Sequence, residues 1–121
     1  MIRILVAIHL VLGFFLIATL VAVVLVGLYA AFRRPAPPRL YFQLHTAAAW
    51  LLVVEVVFGV LLFALGNRPR DILHLAYAGT ALATMPIVRS MIGSNPERAK
   101  WYHVGGSVFL FGLLVRLATT G

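Results

Sequence analysis

Residues 41–79 read YFQLHTAAAWLLVVEVVFGVLLFALGNRPRDILHLAYAG. Two apolar runs flank the polar turn Gly66-Asn67-Arg68-Pro69-Arg70, and each carries one histidine near its own start, His45 and His74. A turn this short makes the two segments antiparallel neighbours. Each run has about the 20 residues that a helix needs to cross the hydrocarbon core of a bilayer. An ionisable ring in such a place is costly, and it usually sits there because something binds it. The remainder of the chain supplies a second pair with the same habit, His9 and His103.

Composition sets the class. At 63% hydrophobic and 11% charged residues over 121 positions, with a mean hydropathy of +1.04, a water-soluble domain would lack the polar surface to cover itself. The chain reads as one integral membrane domain, since four spans with short links use up its length. There is no cysteine, so disulfides, thiolate ligands, iron–sulfur clusters and thioether-linked haem are excluded. Ten basic residues against three acidic ones give +7. In a membrane protein that excess belongs to loops facing anionic headgroups, not to nucleic acid.

The first apolar run, Ile2 to Phe32, is longer than a signal-peptide core and has no small-residue cleavage site before a polar region, so it is read as a span. Arg33-Arg34-Pro35-Ala36-Pro37-Pro38-Arg39 cannot continue a helix and predicts a stiff, extended link. The second span ends at Gly66, a helix-terminating glycine. Asp71 is the expected N-cap of the third, in which Pro86 predicts a kink that Thr84 would partly satisfy. Ser94-Asn95-Pro96-Glu97 reads as a helix start. The predicted spans are 2–32, 40–65, 72–93 and 96–118, an all-α, antiparallel, up-down-up-down four-helix transmembrane bundle. Tyr29, Phe32, Tyr41, Phe42, Trp101 and Tyr102 fall on one side, as an interfacial aromatic belt would.

Let side A hold both termini and side B the other two helix ends. Arg33, Arg34, Arg39, Arg89, Arg98 and Lys100 lie towards B, and Arg3, Arg68, Arg70 and Arg116 towards A. The positive-inside rule then predicts a cytoplasmic B side and termini outside, with a bacterial plasma membrane as the expected location.

Each histidine lies near the N-terminal end of its own helix, and the helices alternate in direction. His9 and His74 therefore share the A half, and His45 and His103 the B half. Helices one and three are diagonal partners, as are two and four, so each pair faces across the core. Two neutral imidazoles on opposite faces of a porphyrin complete six-coordinate iron, which makes two haem b groups the expected cofactor, at levels roughly 20 Å apart. The bland alternative is that these histidines are interfacial or hydrogen-bond between helices. Zinc would need ligands beyond either pair.

Small residues give clearance for a flat ligand: Gly13 one turn after His9, Ala48 and Ala49 after His45, Gly105 and Gly106 beside His103, with Gly27 and Gly59 at the opposite levels of the first two helices. Close helix packing explains the same glycines. Glu55, in the middle of the second span, is expected to be protonated or hydrogen-bonded, to Thr19, Thr80 or Thr84. It suits a proton path, a quinone contact or a haem substituent, or else a plain interhelical bond. Arg3, Arg68, Arg70 and Arg116 on A, with Arg89, Arg98 and Lys100 on B, are candidates to pair with haem propionates. Tyr77 and Met85 read as packing residues.

One histidine per helix, paired one-to-three and two-to-four, is similar to the core of the transmembrane dihaem b cytochromes of the ascorbate-dependent reductase type, a resemblance of spacing over all four spans. The stretch Glu55 to Gly79, EVVFGVLLFALGNRPRDILHLAYAG, resembles the haem A synthases: an acid followed by glycine, a short turn with glycine and proline, then an early histidine. That likeness implies an axial haem ligand at His74. The synthases are fused bundles of eight spans, and the glutamate they place just before a ligand histidine is missing before His9, His45 and His103. Three functions follow as expectations. One is electron transfer between a quinol or small reductant and a redox partner protein, as a subunit of a respiratory or photosynthetic complex. The others are a half-size haem-modifying enzyme acting as a homodimer, and a haem-free membrane scaffold.

Overall fold

The computed structural model describes residues 1–33 and 39–121, Pro96 by its backbone alone. Four helices follow in order: α1 (Ile2–Arg33), α2 (Arg39–Ala64), α3 (Leu73–Met91) and α4 (Pro96–Thr120). The stiff link expected around Pro35, Pro37 and Pro38 lies outside the described residues, as does Arg34. Three helical segments, Ile2–Arg33, Arg39–Ala64 and Glu97–Thr120, are long and apolar enough to cross a membrane. At 32 residues, α1 would reach about 48 Å, well beyond a hydrocarbon core of about 30 Å, which calls for tilt or an interfacial extension. The 19 residues of α3 would reach about 28 Å, but His74, Thr80, Thr84 and Arg89 dilute its apolarity.

The helix ends follow local chemistry. Gly66 takes φ +85°, a conformation open to glycine. It lets the Asn67 N–H reach back to the Leu62 carbonyl at 3.0 Å and close α2 in a Schellman pattern. Asp71 caps α3 from just outside the helix, its carboxylate accepting the Leu73 N–H at 2.9 Å; the formal N-cap is Ile72, so the helix starts a residue later than the sequence predicts. Asn95 caps α4 by accepting the Glu97 and Arg98 N–H groups. The Thr84 hydroxyl donates to the Thr80 carbonyl at 2.7 Å. It therefore does not serve the Leu82 carbonyl that Pro86, lacking an N–H, leaves without its helical partner.

Burial selects one stripe of α1, Leu16, Leu20, Val23, Gly27 and Ala30, whose alternating steps of three and four residues follow the helical period. Leu16, Leu20 and Val23 of this stripe form the core with Tyr41, Ala48 and Leu52 of α2, Ala81 of α3, and Leu110 and Leu114 of α4. α1 packs along α2 and α4, and α3 packs along α4. α1 with α3, and α2 with α4, are diagonal, as the bundle order requires. The neighbours α2 and α3 barely touch, despite the short turn that joins them.

The α1–α2 register is set by three glycines. A Cβ at Gly13 would meet Glu55 Oε1 at 3.0 Å, one at Gly27 would meet Tyr41 Cε2 at 2.9 Å, and one at Gly59 would meet His9 Cε1 at 3.4 Å. Steps of 4 and 14 residues along α1, from His9 to Gly13 to Gly27, are matched by equal steps back along α2, from Gly59 to Glu55 to Tyr41. Each bulky polar side chain thus lies on a glycine of the facing helix, which lets the backbones approach.

Candidate functional site

In the A half, α1 and α3 bring His9 and His74 together with ring centres 6.5 Å apart. Two imidazoles on opposite sides of one metal, at bonds of about 2 Å, hold their ring centres roughly 6 Å apart. The Nδ1 atom of each ring faces an oxygen. His74 Nδ1 lies 3.2 Å from the Leu117 carbonyl oxygen. A carbonyl only accepts, so Nδ1 carries the proton, and in the neutral ring Nε2 keeps its lone pair. His9 Nδ1 lies 3.2 Å from Glu55 Oε1. That is charge-pair distance without hydrogen-bond alignment, and both His9 Nδ1 and Glu55 Oε2 are buried without an aligned partner. Metal-bound histidines characteristically hold the other ring nitrogen against a carboxylate or a backbone carbonyl in this way.

A cavity of about 320 Å³ opens here, lined by His9, Gly13, Glu55, Gly59, Arg68 and His74 among apolar side chains from all four helices. That volume is at the small end for a ligand pocket. The cavity abuts the lightly packed seam between α2 and α3. Of the cationic candidates, Arg68 lines it. Arg116 and Arg89 are exposed on α4 and α3 and do not.

In the B half, α2 and α4 bring His45 and His103 to 6.0 Å between ring centres, and His45 Nε2 is buried with no hydrogen-bond partner among the described residues. Tyr41 stands 5.9 Å from His45 and 6.0 Å from His103, and Phe42 is 6.1 Å from His103. The sequence expectation of Tyr41 in an interfacial belt is corrected. It is 1% exposed and turns inward because Gly27 leaves room for its ring, while Tyr29, Phe32, Phe42 and Trp101 are exposed. Gly27 therefore makes space for Tyr41, and Gly106 makes space for Val88, whose side chain would lie 2.7 Å from a Cβ there. Gly13 and Gly59 line the A cavity.

Glu55 meets His9 rather than a threonine. Thr19, Thr80 and Thr84 all donate to carbonyls of their own helices. The pairing was readable in principle, because aligning α1 and α2 antiparallel with glycine opposite large side chains places His9 and Glu55 a turn apart. Among the described residues, no group of three or more histidine, aspartate or glutamate side chains is gathered as a caged metal ion requires. What the site offers is a pair of imidazoles, one half-buried carboxylate and an apolar cleft. In comparisons with known proteins, the chain matches no family model, no curated protein and no solved structure.

Proposed function

We propose that this chain is a b-type haem protein of the membrane that carries electrons, with haem held between His9 and His74. The observation that supports this best is the A-half geometry: imidazoles from diagonal helices at the spacing of two trans ligands, across a cleft, each with Nδ1 against an acceptor. Bound haem supplies one-electron redox chemistry. The chain's own residues do the rest. Glu55 and the Leu117 carbonyl orient the ligand rings, Gly13 and Gly59 keep the cleft open, and Arg68 offers a cation to a carboxylate substituent. The macrocycle would extend from the cavity into the α2–α3 seam. A quinol or small reductant and a redox partner protein would be the exchange partners, in a bacterial plasma membrane with both termini outside.

The test is a reduced-minus-oxidised spectrum of the purified chain, with bound haem counted in the same sample. Sharp low-spin bands that disappear in both His9→Ala and His74→Ala are expected. A chain that stays colourless when supplied with haemin would sink the proposal and leave the scaffold reading.

A second reading is favoured by the inequality of the two histidine pairs, one bordering a cleft and the other packed against Tyr41. A half-size haem-modifying enzyme, paired with a second copy, needs one firmly held haem and one exchangeable position. Turnover of haem O by the purified chain distinguishes it from a pure electron carrier.

A further inference from the structure

We infer that Tyr41 plugs a second, latent bis-imidazole site for an iron tetrapyrrole in the B half, so that the chain as folded binds one haem and not two. The inference rests on the haem reading of His9 and His74.

The argument is one of shape. His45, His103 and Tyr41 have ring centres 5.9, 6.0 and 6.0 Å apart, a nearly equilateral triangle. Tyr41 therefore lies in the plane midway between the two imidazoles, about 5 Å from the point where a shared metal would sit. A porphyrin fills that plane around its metal, and its outer carbons would overlap the phenol ring. Tyr41 is not a loose side chain that a ligand brushes aside. It is 1% exposed and cradled on Gly27, where even a Cβ would press to 2.9 Å of its ring. Its hydroxyl lies 3.4 Å from Ser107 Oγ, and Ser107 in turn donates to the His103 carbonyl at 2.9 Å. The two rings behind it nevertheless stand at a usable spacing. The imidazoles have the ring spacing of two ligands to one metal, and among the described residues the buried His45 Nε2 has no hydrogen-bond partner. Only the plane between them is taken.

The experiment titrates the purified full-length chain with haemin in detergent and counts bound haem per chain by absorbance. Helical content by circular dichroism is followed in the same samples. The wild type is expected to bind about one haem, lost in His9→Ala and kept in His45→Ala, because a low-spin site needs both of its axial imidazoles. Tyr41→Ala is expected to raise the count to about two, and Tyr41→Ala with His45→Ala to return it to about one; Tyr41→Phe, which keeps the ring, stays at about one. A wild type that binds two haems and loses one in His45→Ala overturns the inference, as does a folded Tyr41→Ala that stays at one. Should Tyr41→Ala not fold, the wild type against His45→Ala decides alone. A colourless wild type beside a Tyr41→Ala chain whose single haem depends on His45 would remove the His9–His74 reading and leave the Tyr41 plug standing. No haem in any variant overturns both.

Discussion

Single residues in this bundle act through what faces them across an interface. Glu55, a carboxylate in an apolar helix, lies 3.2 Å from His9 Nδ1. Removing it takes the facing charge from that ring, and where such a carboxylate supports a metal-bound histidine its loss typically costs 10–100-fold in metal affinity. If the proposed haem site is right, Glu55→Ala should weaken haem binding by about 10–100-fold in a haemin titration while leaving helical content unchanged, and unaltered affinity would remove Glu55 from the site. Gly27 offers a stability counterpart. An added methyl meets Tyr41 Cε2 at 2.9 Å, and the buried ring has nowhere to retreat, so Gly27→Ala should cost about 1–3 kcal/mol, as overpacking does. Thermal unfolding in detergent measures it, and an unchanged midpoint would show that the ring yields. The histidines themselves were legible in the sequence as two pairs by depth, because each sits early in a helix of known direction. Their surroundings were not. Taken by itself Tyr41 reads as an interfacial side chain, since a tyrosine near a helix end is at home there; only the register that sets Gly27 against it turns it inward.

At the scale of elements, the start and stop signals were the most readable features. Backbone groups at helix ends need partners, and few residue types supply them. Asn95 accepts two N–H groups at the start of α4, so Asn95→Ala should cost about 1 kcal/mol. A thermal midpoint equal to that of the wild type would mean that water or headgroups replace the cap. Gly66, with φ +85°, closes α2 as its position after an apolar run suggests. The weak α2–α3 contact was not foreseen, because a short turn constrains only the ends of the helices it joins. Along the rest of their length the two make little contact, and the cavity beside His9 and His74 borders that seam.

At the scale of the whole molecule, four antiparallel helices put both termini and the Asn67 turn on one face and the Ser94 turn on the other. The chain has no cysteine, so introduced ones are clean probes. Ile2→Cys, Asn67→Cys and Thr120→Cys should react with an impermeant thiol reagent from the same side of a sealed vesicle, and Ser94→Cys from the opposite side. Any exchange between those groups would break the topology.

Residue order by itself determined the membrane class, the positions of the four helices, their alternating directions and the two depths at which histidines occur. These depend on apolar length, turn chemistry and helical rise, all local properties. Which stripe of each helix turns inward was decided by the tertiary structure alone. In water an apolar face announces the core, but here lipid is as apolar as the interior, and Phe14, Phe15 and Leu25 on the outside of α1 look no different in sequence from Leu16, Leu20 and Val23 within. Packing breaks the tie through glycines opposite bulky side chains, and that choice leaves a cleft beside His9 and His74 and sets Tyr41 between His45 and His103.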